Sequence, residues 1–129
     1  MVVFEPTSVL LAEEKSWLRE LFRPTLTMLG CDVVAEAATA AEAVRLFDEY
    51  RPDIVLTNFR LAAGSGIDVT RGCLALNPEA YVVLLTTHGD DFTQNAAKAA
   101  GAKGFIVKNR PIEEFVEALA AHLPASAAA

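Results

Sequence analysis

Short runs of consecutive apolar residues recur along the chain, and between them apolar side chains return at three- and four-residue spacing. The runs are Ser8 to Ala12, Cys31 to Ala37, Asp53 to Asn58, Tyr81 to Thr86 and Gly104 to Lys108. Ile54-Val55-Leu56 and Val82-Val83-Leu84-Leu85 show no polar alternation, the mark of strands covered on both faces, and these two are predicted to be central. The first helix is predicted from Glu14 to Leu29, with Trp17, Leu18, Leu21, Phe22 and Leu26 toward one side and Gly30 as its C-cap. Pro24 lies inside it and removes a backbone donor, which predicts a kink. Thr39-Ala40-Ala41-Glu42 reads as a capping box opening a second helix through Ala43, Val44, Leu46 and Phe47. A third helix is predicted from about Gly66 to Leu76, ending before Asn77-Pro78, and a fourth from Asp91 to Ala100, stopping at Gly101. Pro111-Ile112-Glu113-Glu114 opens the last helix, with proline at its start, acids at its positive end, and Phe115, Val116 and Leu119 as its apolar face.

Strand and helix thus alternate as (βα) five times over. That order predicts a doubly wound α/β fold, a five-stranded parallel sheet with helices on both faces. A site in such a fold belongs at the C-terminal ends of the strands, near the switch point in strand order. One domain is predicted over residues 8–123. Residues 124–129, Pro124-Ala125-Ser126-Ala127-Ala128-Ala129, carry no large apolar side chain and read as a disordered tail or linker stub.

Composition narrows the classes. Of 129 residues, 53% are hydrophobic and 22% charged, which is too apolar for a disordered chain. No apolar run approaches the roughly 20 residues needed to span a bilayer, so no membrane segment is expected. Met1-Val2-Val3-Phe4-Glu5-Pro6 lacks the charges and apolar length of a secretory signal. The two cysteines, Cys31 and Cys73, have neither Cys-x-x-Cys nor zinc spacing. Together these indicate a reducing, cytoplasmic setting. A net charge of −6 with no basic run argues against direct nucleic-acid binding and is otherwise an ordinary soluble surface.

The predicted strand ends carry the candidate chemistry: Glu13-Glu14 after the first, Asn58 after the third, Thr86-Thr87-His88 after the fourth, and Lys108 at the fifth. Taken singly, each has a structural explanation. Two acids at a helix start favour its dipole, Asn58 is a turn former, Thr86 and Lys108 are strand-end residues, and Phe105 is a core aromatic. Trp17 and Cys73 are assigned to packing, His88 to the Gly89-Asp90 turn, and His122 to a favourable place near the negative end of the last helix. Jointly, two carboxylates, an amide, a hydroxyl and an ammonium converge on one crevice. Oxygen ligands suit Mg²⁺, and a lysine beside a hydroxyl suits a phosphoryl group. What is missing is a nucleophile, because an amide does not form an acyl phosphate as a carboxylate does.

Four stretches then carry a specific resemblance: Ser8-Val9-Leu10-Leu11-Ala12-Glu13-Glu14, Pro52 to Leu61 around Thr57-Asn58-Phe59-Arg60, Val82 to Asp90 around Thr86-Thr87-His88, and Gly101 to Lys108. In order and spacing the chain resembles the CheY-like response-regulator receiver domain of two-component phosphorelay signalling. The resemblance implies that Glu13 and Glu14 bind Mg²⁺, with Asn58 and the Arg60 backbone carbonyl completing the metal set. It implies that Asn58 stands at the phosphoacceptor position, that Thr86 and Lys108 contact the phosphoryl group, and that Phe105 is the switch aromatic. Its partners would be a histidine kinase or other signalling protein, an output domain beyond Ala129, and a second copy through the face of the fourth helix, fifth strand and fifth helix. The departures predict a silent form. Asn58 lacks the oxyanion, glutamates replace the commoner aspartates, Leu61-Ala62-Ala63-Gly64-Ser65-Gly66 lacks the usual proline and acid, and Asn109 replaces a proline. Either natural divergence to a pseudo-receiver or an engineered substitution would leave Asn58, and the accompanying departures favour divergence. The expectation is a non-enzymatic, partner-binding switch module with a weakened Mg²⁺ site. The alternative is a flavin- or nucleotide-binding domain of flavodoxin-like fold, disfavoured because Glu13 and Glu14 stand where a phosphate cradle would. A serine hydrolase would need a Gly-x-Ser-x-Gly elbow that the sequence does not contain.

Overall fold

The alternation resolves, in a computed structural model that describes residues 6–87 and 89–123, into ten elements. They are β1 (Thr7–Ala12), α1 (Ser16–Met28), β2 (Cys31–Ala37), α2 (Ala40–Tyr50), β3 (Ile54–Asn58), α3 (Gly66–Leu76), β4 (Val82–Thr86), α4 (Asp91–Ala100), β5 (Gly104–Val107) and α5 (Ile112–Ala120). The expectations for the N-terminal Met1 to Glu5, for His88 and for the tail from Pro124 fall outside the described residues.

All strand pairs are parallel, in the order β2-β1-β3-β4-β5. This is the doubly wound α/β sheet expected from the pattern. Successive strand residues face opposite ways, so each central strand feeds two cores. Leu10, Val55 and Val82 join Phe47, Val69 and Cys73 from α2 and α3. Val9, Leu11, Leu56, Val83 and Leu85 join Leu26 of α1 and Phe115 and Leu119 of α5. Burying each such Leu, Val or Phe stabilises the fold by about 1.5–3 kcal/mol. Because β1 lies between β2 and β3, the winding reverses there and leaves a crevice at the carboxyl ends of β1 and β3.

Three local expectations are corrected. Helix α1 begins at Ser16, and its N-cap Lys15 makes no side-chain capping bond, so Glu13 and Glu14 lie before the helix rather than capping it. The helix also runs unbroken through Pro24, which sits on the exposed side, where water can take the place of the missing donor. Trp17 and Leu21 are 61% and 62% exposed, so Trp17 is not a packing residue. Two apolar stripes run along α1 side by side, and periodicity does not say which faces inward. The one through Leu18, Phe22 and Leu26 does, with Phe22 stacked on Phe115 at 5.2 Å between ring centroids.

The capping box at α2 is half formed. Thr39 accepts from the Glu42 N–H, but the Glu42 carboxylate accepts from the Ala38 N–H, one residue further back. Both cysteines are buried and free, and burial pushes the Cys73 thiol up to about 12 and the Cys31 thiol up as well, which leaves neither a reactive thiolate.

His122 lies just past α5, its Nδ1 2.8 Å from the Tyr81 hydroxyl. Burial lowers its pKa from the ordinary 6.5, so the folded chain disfavours the imidazolium even at the end of the helix. The unfolded chain therefore binds the extra proton more readily, and stability should decline as pH falls through 6.5. In His122→Gln the melting temperature should depend less on pH in that range; an unaltered slope would show that other groups carry it.

Candidate functional site

Each candidate side chain is placed by the end of a strand. Glu13 extends the β1–β2 ladder by one bond, its N–H donating to the Ala37 carbonyl at 2.9 Å. Its side chain turns inward and is 2% exposed. Lys108 follows β5, held by its N–H on the Thr86 carbonyl at 2.7 Å, and its Nζ lies 3.2 Å from Glu13 Oε1. Arg19, in the first turns of α1, donates to the Glu13 backbone carbonyl and, through Nε, to Glu36 Oε1 at 3.1 Å. The Glu13 backbone is therefore fixed from both sides.

Asn58 ends β3, and its Nδ2 donates to the Arg60 carbonyl at 2.7 Å. The chemistry orients the amide, since its oxygen in that place would face another acceptor. The β3–α3 loop is fastened at several points. Phe59 N–H donates to the Leu85 carbonyl, Ala62 N–H to the Ala38 carbonyl, and Ala40 N–H to the Ala63 carbonyl, at 2.7, 3.0 and 2.9 Å. The loop ends at Ser65, whose reciprocal capping box with Asp68 opens α3. Gly66 is required there, because a Cβ would stand 2.3 Å from Leu84 Cδ2 and 2.7 Å from the Asn58 carbonyl oxygen.

Glu13, Glu14, Asn58, Arg60, Thr86 and Lys108 all line one cavity of about 260 Å³. Phe105 does not line it. Half-buried on β5, it borders two shallower hollows, one against Ala97 and Lys98 of α4 and one against Arg110 and Glu114. Sequence reasoning missed Lys15, Asp90 and Thr93, which complete the cavity wall. A signal for Asp90 was present: an aspartate directly before the helix start is a preferred N-cap, and Asp90 caps α4 by accepting from the Thr93 N–H at 2.7 Å.

The electrostatics are nearly balanced. Glu13, Glu14 and Asp90 face Lys15, Arg60 and Lys108 around the cavity. Among the described residues no group of three or more His, Cys, Asp or Glu side chains is placed to hold a metal ion. Of the four oxygen donors implied for Mg²⁺, the Glu13 carboxylate already accepts from Lys108 and the Arg60 carbonyl already accepts from Asn58. As folded, this donor set does not fit a divalent cation.

Comparison with known proteins decides the family. The model of the response regulator receiver domain matches residues 9–120. The chain belongs to the response-regulator receiver family. This receiver is 32% identical over 111 residues to the chemotaxis protein CheY of Thermotoga maritima, covering 86% of this chain and 92% of that one. The crystal structure of a LuxR-family two-component response regulator from Aurantimonas sp. SI85-9A1 superposes with a TM-score of 0.85 at 33% identity, over 90% of this chain and 84% of that chain. A CheX-CheY-BeF3-Mg²⁺ complex from Borrelia burgdorferi matches at a TM-score of 0.83 over 90% of this chain and 88% of that chain; at 21% identity it shows the shared fold. The flavin- or nucleotide-binding alternative is not favoured: the receiver model spans nearly all of the described chain, and the β1–α1 loop places Glu13 and Glu14 where a phosphate cradle would have to be. Among the described residues no helix is long and apolar enough to cross a membrane.

Proposed function

We propose that this receiver is a non-enzymatic signalling module whose conformation is set by partner binding, because aspartyl phosphorylation has no acceptor here. Asn58 takes the phosphoacceptor position of the family, and Thr86 and Lys108 take the positions of the phosphoryl contacts. The observation that carries this reading is the Asn58 amide donating to the Arg60 carbonyl at 2.7 Å. The amide nitrogen lone pair is delocalised, so Asn58 is neither a nucleophile nor an anion that a metal would draw in. Mg²⁺ binding is accordingly weakened.

The face for a partner would be that of α4, β5 and α5. Phe92 of α4 is 81% and Ile112 of α5 57% exposed, and the half-buried Phe105 lies between these helices. Such a face suits a histidine kinase or another signalling protein, an attached output domain, or a second copy of this chain. Two-component signalling of this kind is cytoplasmic, and the acidic chain would not itself bind nucleic acid.

Incubation with Mg²⁺ and acetyl phosphate, followed by intact mass, tests the reading. No phosphoryl adduct is expected on this chain, and one is expected on Asn58→Asp. An adduct on the original chain would overturn the proposal. Absence from both would place the block in the surrounding site as well as at residue 58.

A further inference from the structure

We infer that the crevice is built to stand without a metal ion, with two side-chain donors of the chain itself occupying the places where a cation would be bound by oxygen. The first is the Lys108 ammonium, 3.2 Å from Glu13 Oε1, with the two side chains 12% and 2% exposed. The second is the Asn58 amide, 2.7 Å from the Arg60 carbonyl oxygen. The first ties the end of β1 to the end of β5, and the second pins the start of the β3–α3 loop to the end of β3.

Residue chemistry links the two. A carboxylate at residue 58 accepts hydrogen bonds and donates none, so it would face the Arg60 carbonyl with like partial charge and add a third acid beside Glu13 and Glu14. Such a site needs an added cation to neutralise it. An amide reverses the sign of the contact while keeping the shape of the side chain. Glu13 contributes through its length, since the additional methylene relative to aspartate extends the carboxylate toward Lys108. Asn58 is on this view a positive element of the architecture that pins the loop. The inference depends only on these contacts, and it stands or falls separately from the phosphorylation reading because its test contains no phosphodonor.

Thermal unfolding of the full chain, in EDTA and across a Mg²⁺ series at constant ionic strength, provides the test. The melting temperature of the original chain should move by less than about 1 °C, while Asn58→Asp in EDTA should melt about 5 °C or more below it. Mg²⁺ should restore at least half of that loss. Asn58→Ala, which removes the bond without adding charge, should also melt lower and should not respond to Mg²⁺. The inference is overturned if the original chain gains as much from Mg²⁺ as Asn58→Asp does, or if Asn58→Asp in EDTA melts at or above the original. Should Asn58→Asp fail to fold, amide chemical shifts of the original chain under Mg²⁺ decide the matter. Unmoved signals at Glu14, Asn58 and Lys108 support the inference, and saturable shifts there reject it.

Discussion

Lys108→Met is expected to lower folding stability by about 3–5 kcal/mol, because it strands the Glu13 carboxylate in a buried place without its counter-charge. Glu13 is 2% exposed, and the Lys15 N–H reaches its carboxylate only at a long 3.4 Å. An exposed pair would behave differently. Arg45–Glu49 and Arg110–Glu114, at 3.9 and 4.0 Å and more than half exposed, should each contribute about 0–1 kcal/mol. A double variant identifies the mechanism in urea unfolding: Glu13→Leu added to Lys108→Met should recover most of the deficit. A double variant no more stable than Lys108→Met would mean that Lys108 contributes through packing of its stem instead.

The second large effect lies in the core under α2. Phe47 is 1% exposed and packs with the cluster that includes Leu10, Val55, Val69 and Cys73, while the Arg51 guanidinium covers its ring at 5.5 Å. Phe47→Ala should lower stability by about 3–5 kcal/mol, seen as a shifted urea midpoint with an unchanged slope. The damage should reach the crevice, because the start of α2 and the residues before it hold the β3–α3 loop through Ala38, Ala40, Ala62 and Ala63. Amide hydrogen exchange at Ala40 and Ala62 should accelerate more than at the strand residues of β4. A loss below about 1 kcal/mol would show that α2 closes over the cavity without cost to the loop.

Much of this architecture is legible in the chain. Consecutive apolar residues in β3 and β4 mark strands covered on both faces, and the alternating helices force parallel strands, so the position of the crevice follows from connectivity. The gathering of Glu13, Glu14, Asn58, Thr86 and Lys108 around one cavity follows too, since each ends or follows a strand. Less legible was which flank of α1 is buried. Trp17 and Leu18 are neighbours in sequence and both apolar, and the choice between them depends on where Phe115 of α5 meets Phe22. Phe105, the switch aromatic of the resemblance, borders hollows beside α4 and α5, and that placement depends on how the two helices pack against β5.

The kinds of group at the site were local information: an amide at 58, acids at 13 and 14, an ammonium at 108. How they pair was not. Glu13 and Lys108 are 95 residues apart, and their bond exists because β1 and β5 end on the same edge of one sheet. Side-chain periodicity records which way a residue faces within its own element. Partners contributed by distant elements depend on sheet order, helix docking and the reach of each side chain, and these take definite values once the two cores have packed.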